Sequence, residues 1–312
     1  MKHIKWVLAH EPIELFIRAA KVFANEIKSK APGQVEIEVM TLSEYSQKYN
    51  NGVLVTKHEL IDLLDADKIQ MSQTYTISLG KVNRDFFALD LPFLFTDHDH
   101  ASRVFEGEVG QQLLDSLQQH KQIKGLAFTY SGGFRIIPGN EPVSKIEDLK
   151  GMRVRTSHSP VAIDTFLAVG ADVVPMELEE LTEGLATADV TIGESTYPRV
   201  YALGQNRVSK VVNHTEHSLF LTTILVGTDF WNTLSSELQA IINDAALVAA
   251  RHERELSIKD VELVQQRCEA DGIEVVRMSA GEQVRFAEAT KVVYDKYHDY
   301  FSAGLVEQIR KQ

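Results

Sequence analysis

The chain has 312 residues, of which 44% are hydrophobic and 24% charged, so it can bury a sizeable core as one large domain or two medium ones. Its formal net charge of −12 argues against nucleic acid or an anionic membrane surface as a partner. The one cysteine, Cys268, excludes an internal disulfide, and no run of 18 apolar residues is present that could span a membrane.

Strands and helices alternate through the first two thirds of the sequence. An apolar strand is predicted at 4–9, then a helix with Pro12 at its first position and an apolar stripe from Phe16 to Ile27. The next predicted elements are a strand at 35–39, a polar loop at 43–52, a helix at His58–Leu64, a strand at 69–74 and an apolar loop or short strand at 90–95. Helices are then predicted at 104–120, 161–171 and 177–187, and strands at 123–130, 151–155, 171–176 and 189–194.

The last quarter of the sequence is almost entirely helical. A helix of roughly 30 residues, about 45 Å long, is predicted to begin at a serine cap at 235–236 and to cross two lobes. A short strand at 273–278 and a helix at 281–301 follow. This order predicts α/β sheets with helices on both faces. The predicted division is lobe I at 1–126 and 218–256, and lobe II at 127–217 and 257–312.

The N-terminus carries basic residues followed by an apolar stretch, as a secretion signal does. Glu11, Pro12 and Glu14 interrupt that stretch too early, so we interpret it as a strand that leads into a helix. Any secretion signal is expected to have been removed from this chain.

Sequence motifs for catalysis are missing. The chain has no G-x-G-x-x-G, Walker A, G-x-S-x-G or H-E-x-x-H motif, which argues against a standard nicotinamide- or ATP-dependent enzyme, and no cofactor is expected. Two histidine pairs, His98 with His100 and His214 with His217, suggest a metal site as a hypothesis. We interpret the first pair as a helix start capped by Asp97 or Asp99, and His217 in the second as structural or ligand-contacting. No metal site is predicted.

Polar side chains gather at the carboxyl ends of predicted strands, where open α/β sheets bind ligands. The candidates are His10, Gln73, Thr74, Tyr75, Arg135, Arg155, His158, Glu194 and Ser195. This set combines hydroxyls, an amide and two arginines without an obvious nucleophile and base. Such chemistry suits the holding of an anion better than its transformation.

Three stretches resemble one known family. They are ALDLPFLFTDHDHASRVFEG (88–107), KIEDLKGMRVRTSHSPVAIDTFLAVGADVVPMELEELTEGLATADV (145–190) and FWNTLSSELQAIINDAALVAARHERE (230–255). They are similar to the substrate-binding proteins of TRAP (tripartite ATP-independent periplasmic) transporters, of the dicarboxylate-receptor type. The resemblance implies a two-lobed α/β, periplasmic-binding-protein-like fold, with a ligand cleft between the lobes and a long helix crossing both.

The resemblance also implies roles for particular residues. Arg155 falls on the family's ligand arginine, which makes a bidentate salt bridge to a carboxylate, and Arg135 falls on a second arginine. His158 lies near a polar contact, Glu194 is retained, and Ser195 replaces a common asparagine. Arg153 has no family role and is interpreted as a surface cation. The segment 41–52 replaces a family Pro-x-x-x-Leu-Gly motif, so that wall of the pocket is expected to differ.

The function that the resemblance implies is transport without catalysis. A monomeric periplasmic receptor is expected to capture an organic acid, sugar acids included, and to deliver it to the small and large subunits of a TRAP membrane permease. Two alternatives stay open from the residues alone. One is a receptor that reports its ligand state to a membrane kinase, and the other is a metal-assisted enzyme that uses His214 and His217.

Overall fold

The computed structural model describes residues 1–10 and 14–312, so the predicted helix start at Pro12 lies outside the described residues. The strands of the described chain are β1 (Lys2–Leu8), β2 (Val35–Met40), β3 (Met71–Tyr75), β4 (Ile123–Phe134), β5 (Ile137–Gly139), β6 (Arg153–Thr156), β7 (Asp172–Pro175), β8 (Ile192–Gly193), β9 (Val211–His214), β10 (Leu219–Gly227) and β11 (Glu274–Arg277).

Helices connect these strands. The α-helices are α1 (Glu14–Lys30), α2 (Leu42–Tyr49), α3 (Leu60–Asp65), α4 (Thr76–Gly80), α5 (His98–Glu106), α6 (Glu108–Ser116), α7 (Pro160–Ala168), α8 (Leu181–Ala186), α9 (Tyr197–Ala202), α10 (Thr228–Asn232), α11 (Ser236–Ala270), α12 (Ala280–Ala289), α13 (Lys291–Tyr297) and α14 (Leu305–Arg310). Short 3-10 helices cover Lys57–Glu59, Arg84–Asp90, Leu117–Gln119, Ile146–Leu149, Leu178–Glu180 and Gln205–Arg207.

The chain divides into two compact units, each built from three separate segments. Unit 1 contains residues 1–83, 102–131 and 221–256, and unit 2 contains residues 84–101, 132–220 and 257–312. Helix α11 begins at Ser236, as predicted, and the Ser235 hydroxyl accepts a hydrogen bond from the Leu238 amide at 3.2 Å. Its residues belong to unit 1 up to Leu256 and to unit 2 from Ser257.

The sheet of unit 1 has five strands in the order β2-β1-β3-β10-β4. Strands β2, β1 and β3 are parallel, whereas β10 runs antiparallel to β3 with Thr223 opposite Thr74. The residues of β3 and β10 are all buried, and those of β10 are largely apolar without alternation, as expected for a strand covered on both faces. On β1, Trp6 packs edge-on against Phe23 of α1.

The sheet of unit 2 has six strands in the order β11-β9-β5-β8-β6-β7. Strand β5 is antiparallel to both of its neighbours, and the pairs β8–β6, β6–β7 and β9–β11 are parallel. Successive residues Ile136 and Ile137 belong to different core clusters, one containing Val212 and Cys268 and the other Phe166 and Phe286. Both faces of the sheet are therefore covered, and the predicted α/β class is confirmed.

Some local predictions differ from the structure. The predicted polar loop at 43–52 contains helix α2, because Thr41 and Glu44 form a capping box that satisfies the first free amides of the helix. The predicted helix at 104–120 is interrupted at Gly107, between α5 and α6. The segment 90–95 forms no strand, in agreement with the loop alternative, and residues 84–101 group with unit 2, whereas the sequence-based division assigned them to lobe I.

Within the described chain, no helix combines the length and the apolar character that crossing a membrane requires. Even α11, at 35 residues, carries charged side chains along its whole length.

The Asn213 side chain links β9 to neighbouring backbone segments of unit 2 by hydrogen bonds. Its side chain is fully buried, and its Oδ1 accepts from the Val143 amide at 2.7 Å. Its Nδ2 donates to the carbonyl groups of Ile137 and Glu141 at 3.0 and 3.1 Å. One amide side chain therefore satisfies three backbone groups, of which those of Ile137 and Val143 belong to buried residues.

Replacing Asn213 by alanine is expected to lower the free energy of unfolding by about 2–4 kcal/mol, because it leaves those backbone groups without hydrogen-bond partners. Urea denaturation with circular dichroism detection measures the change. The matched control is Asn243→Ala, at an exposed position of α11, which should shift stability only slightly. Equal stability of the Asn213 and Asn243 variants would contradict the assignment.

Candidate functional site

The topology of unit 2 brings distant residues to one edge of its sheet. Because β8, β6 and β9 run in one direction and β5 in the other, their carboxyl ends lie beside the start of β5. Arg155 lies in β6, Glu194 and Ser195 follow β8, and His217 follows β9. Arg135 precedes β5, and the Ile136 and Ser195 backbones exchange hydrogen bonds at 2.9 and 2.8 Å. We call this the carboxyl edge of unit 2.

Arg155 is a buried cation held by backbone carbonyl groups. Its Nε and Nη2 donate to the Met176 carbonyl oxygen at 3.0 and 2.6 Å, and its Nη1 donates to the Glu194 carbonyl oxygen at 3.0 Å. Three of its five N–H groups are used in this way, which leaves one on each terminal nitrogen. No carboxylate of the described residues lies within 4.0 Å of the guanidinium. Burial lowers the pKa of Arg155 to about 10, so the group stays charged at neutral pH.

The position of Arg155 depends on a glycine in the next strand. Gly193 is its register partner on β8, and a Cβ atom there would lie 2.9 Å from the Arg155 Cβ and 2.4 Å from Leu181 Cδ1. Any larger residue at 193 would push the arginine or the neighbouring helix aside, so the glycine is needed for this close approach.

Arg135 is the second buried cation, and it is only partly compensated. Its Nε lies 3.7 Å from Glu194 Oε1, and its guanidinium carbon sits 4.1 Å from the centre of the Phe220 ring. Among the described residues, its Nη1 has no hydrogen-bond partner. A buried donor of a charged group that stays unsatisfied is costly, and an incoming acceptor would remove that cost.

Glu194 is the central anion of this edge, with only 1% of its surface exposed. Its Oε1 accepts from His217 Nε2 at 3.0 Å, and its Oε2 lies 3.4 Å from the Ser157 amide. Burial alone would raise the pKa of Glu194, but Arg135, the hydrogen bond and charge of His217, and Arg155 together lower it to about 2. The carboxylate is therefore ionised, and His217 donates to it while the Thr215 hydroxyl faces the other ring nitrogen at 2.8 Å.

Ser195 completes the group. Its side chain is fully buried, and its Oγ lacks a hydrogen-bond partner in the described part of the chain. Two residues at this edge have strained backbones, since Phe93 and Glu216 both have positive φ angles of 56° and 50°. Each makes a backbone contact here: the Phe93 amide donates to the His217 carbonyl at 2.7 Å, and the Glu216 amide to the Arg135 carbonyl at 3.1 Å. Such strain is common where a site is built.

One candidate of unit 2 remains, His158, and it is less buried than the others. The His158 side chain is half exposed, and its Nε2 is 3.6 Å from Glu177 Oε1. Arg153 is exposed, with its Nε 3.6 Å from Asp172 Oδ2, so the two arginines of β6 differ sharply in environment.

The four candidates of unit 1 lie at the carboxyl ends of β1 and β3. The His10 ring lies 6.1 Å from that of Phe16 and 6.5 Å from that of Tyr75. Gln73 Nε2 donates to the hydroxyls of Thr129 and Thr222 at 3.0 and 3.1 Å. In the same unit, Gln73 Oε1 and the Thr74 hydroxyl have no hydrogen-bond partner among the described residues. Unit 1 thus carries a buried, uncharged polar cluster.

The two histidine pairs have separate partners. His100 Nε2 contacts the Ile309 carbonyl at 2.8 Å, and its backbone amide donates to Asp97 Oδ1 at 2.7 Å, as expected for a capped helix start. His214 Nδ1 contacts the Tyr197 hydroxyl at 2.9 Å, whereas His217 turns to Glu194. Within residues 1–10 and 14–312, no group of three or more potential ligands could hold a metal ion.

Two features of the carboxyl edge were missed from the sequence. Asp90 is 7% exposed and stands in the stretch interpreted as an apolar loop or short strand. An acid within an apolar run was the available signal. The Met176 and Glu194 carbonyl groups that hold Arg155 are backbone acceptors. Every residue has a backbone carbonyl group, so the sequence does not indicate which of them will bind an arginine.

The Glu194→Gln variant should lose less stability in acid than the wild type. The pKa of Glu194 is lowered from 4.5 to about 2 in the folded protein, so the stabilisation by its ionised carboxylate is fully present above pH 4.5 and is lost as the pH falls towards 2. The shift corresponds to about 3 kcal/mol. Urea unfolding at pH 5 and at pH 2.5 measures the loss of unfolding free energy between the two pH values. This loss should be smaller in the variant than in the wild type, by up to about 3 kcal/mol. Glu269→Gln, at an exposed position of α11, is the control, and an equal acid loss in Glu194→Gln and the wild type would contradict the assignment.

Known proteins are similar to this chain in both sequence and fold. The DctP model, bacterial extracellular solute-binding protein, family 7, matches residues 9–299. The C4-dicarboxylate-binding protein DctB of Bacillus subtilis is 26% identical over 293 residues, which cover 93% of this chain and 81% of the relative.

Two solved structures of TRAP periplasmic solute-binding proteins are each 26% identical to the chain. The one from Ochrobactrum anthropi, with its C-terminus bound in the ligand-binding pocket, has a TM-score of 0.88 and covers 99% of this chain and 93% of its own. The one from Pseudomonas putida F1, with bound D-glucuronate, has a TM-score of 0.86 and covers 98% and 96%. The family match spans nearly the whole chain, and the chain therefore belongs to the DctP family of bacterial extracellular solute-binding proteins.

Proposed function

We propose that this protein captures an organic acid and that the carboxyl edge of unit 2 binds its carboxylate through Arg135 and Arg155. The observation that carries the proposal is the incomplete pairing of the two arginines at that edge. Within the described residues, both guanidinium groups are buried, Arg135 Nη1 has no hydrogen-bond partner, and Arg155 has no acid within ion-pair distance. Buried charges are costly unless they are paired, so an anion supplied by a ligand would stabilise both cations.

The free donors fit a carboxylate in number and kind. Arg155 keeps one N–H on each terminal nitrogen, Arg135 keeps its Nη1, and Ser195 keeps its hydroxyl. A guanidinium in a dry environment binds a carboxylate more strongly and more specifically than it would in water, because the field is less screened. None of these groups is placed as a nucleophile with an adjacent base, so binding without turnover is the favoured role.

Related proteins support the class of ligand. The Bacillus subtilis relative is named for C4-dicarboxylate binding, and the Pseudomonas putida structure holds D-glucuronate. Membership of the DctP family supports a periplasmic location and delivery to a TRAP membrane permease with small and large subunits. In unit 1, His10, Gln73, Thr74 and Tyr75 are proposed as contacts for uncharged parts of the acid. His158 is proposed as a peripheral contact.

Capture is proposed to shift an equilibrium between open and closed forms, and the permease would distinguish the two. A ligand can drive such a shift only as far as its affinities for the two forms differ.

The ligand class is tested by thermal unfolding with D-glucuronate, D-galactonate and succinate, which sample sugar acids and C4-dicarboxylates. Saturating binding of a matching acid at 100 times its Kd adds about 2.7 kcal/mol to stability, so the melting temperature should rise by several degrees. Mass spectrometry of acids retained through purification identifies a ligand outside this panel. Absence of any bound acid in both experiments would contradict the proposal.

Arg155→Lys is expected to weaken binding of the acid at least tenfold, about 1.4 kcal/mol, because an ammonium cannot hold two carboxylate oxygens in the geometry of the planar fork. Isothermal titration calorimetry gives the Kd, and circular dichroism checks the fold. The matched control is Arg153→Lys, on the same strand but exposed, for which wild-type affinity is expected. Wild-type affinity of Arg155→Lys would contradict the proposed role.

A further inference from the structure

One end of a buried amide group in unit 1 is held by hydrogen bonds and the other end is not. Gln73, in β3, is 1% exposed, and its Nε2 lies 3.0 and 3.1 Å from the hydroxyls of Thr129 in β4 and Thr222 in β10. Its Oε1 has no hydrogen-bond partner among the described residues. Thr222 is the register partner of Tyr75, two positions beyond Gln73, so the Gln73 side chain leans towards the carboxyl end of β3.

The protons of the two threonine hydroxyls determine which end of the amide group faces them. The Thr222 hydroxyl donates to the Tyr130 carbonyl oxygen at 3.5 Å, and the Thr129 and Thr222 hydroxyls are hydrogen-bonded to each other at 2.5 Å. Each hydroxyl has one proton, so Thr129 donates to Thr222 and both oxygens keep only lone pairs for Gln73. The amide nitrogen therefore faces the threonines, and Oε1 is directed away from them as an acceptor.

The unpartnered oxygen of Gln73 requires a hydrogen-bond donor, because a buried acceptor without one costs free energy. The side chains of Gln73, Thr129 and Thr222 are uncharged. A neutral hydroxyl therefore fits them better than an ammonium ion, whose burial would need a counter-charge. A carboxylate has no proton to donate at neutral pH and would place a second acceptor against the amide oxygen.

We propose that Gln73 is a specificity-determining residue that selects hydroxylated acids. Its Oε1 accepts a hydrogen bond from a hydroxyl group of the captured acid, and the Thr129 and Thr222 hydroxyls hold the amide group in the orientation that this bond requires. The ligand is then a hydroxylated monocarboxylate of the sugar-acid class and not an unsubstituted dicarboxylate. This inference rests on the proposed function, in which a carboxylate binds at the carboxyl edge of unit 2, and it specifies the rest of the ligand.

Two acids that share a carbon chain but differ in their hydroxyl groups test the inference on the full wild-type chain. D-galactonate and hexanoate both have six carbons and one carboxylate, but hexanoate has no hydroxyl. A site that hydrogen-bonds a hydroxyl discriminates against an analogue without one, because its buried polar group is then left unpaired. Isothermal titration calorimetry should give a Kd for D-galactonate that is lower by at least about tenfold than the Kd for hexanoate or for succinate.

The Gln73→Met variant tests whether this preference depends on Gln73. Methionine keeps the length of the side chain but has no amide oxygen, so affinity for D-galactonate should fall by about tenfold or more while affinity for hexanoate keeps its wild-type value. The matched control is Gln70→Met, in the same unit, where the amide oxygen that is lost already accepts from the Lys5 amide at 3.1 Å. This control should retain the wild-type ratio of the two Kd values. Circular dichroism checks that both variants fold.

Contrary results separate this inference from the proposed function. A wild type that binds hexanoate or succinate as tightly as D-galactonate overturns hydroxyl selection, and this comparison does not depend on the folding of a variant. A Gln73→Met variant that keeps the wild-type ratio of Kd values overturns the role of Gln73. Both results leave carboxylate capture intact. Failure of D-galactonate, D-glucuronate and succinate to bind overturns the proposed function, and hydroxyl selection with it.

Discussion

Two guanidinium groups buried beside the Glu194 carboxylate are the constraint on which the carboxyl edge of unit 2 depends. Arg155 keeps its charge at neutral pH, and the surrounding chain has to solvate both buried groups. Backbone carbonyl groups of Met176 and Glu194 do so for Arg155, and the Phe220 ring with the Glu194 carboxylate does so for Arg135. This solvation is incomplete, and the carboxylate of the proposed ligand would complete it.

The sheet topology makes this arrangement possible with residues that are far apart in sequence. A strand that runs against its neighbours brings its beginning to the place where they end, so Arg135 meets Glu194 although 59 positions separate their numbers. The supporting contacts are mostly backbone hydrogen bonds between short strands. A site fixed in this way is ordered before its ligand arrives, which reduces the entropy that binding has to supply.

Much of this could be predicted from the sequence, for physical reasons that also explain the omissions. Apolar runs and polar strand ends located the sheets, and placed Arg155, Glu194 and Ser195 at one edge, because parallel strands share their carboxyl edge. Helix α2 was missed since its composition is polar, although the Thr41 and Glu44 pair carried the signal. The burial of Asp90 and the carbonyl partners of Arg155 depend on tertiary contacts, and a linear pattern does not contain them. Strand alternation places Arg153 and Arg155 on one face, so the difference between them was predicted from the position of Arg155 at the carboxyl end of its strand together with the family resemblance.

The discontinuous composition of the units has a consequence for how the chain folds. Strand β10 lies between β3 and β4 in the unit 1 sheet, so β4 cannot join that sheet until residues 219–227 are available. Unit 2 gains β11, the edge strand of its sheet, and the helices that follow it only from the last part of the chain. Both sheets depend on pairings between distant parts of the chain, which favours slow, late closure over growth from the N-terminus. A partly synthesised chain would therefore leave strand edges open, and it would stay competent for passage through a narrow channel until it is nearly complete.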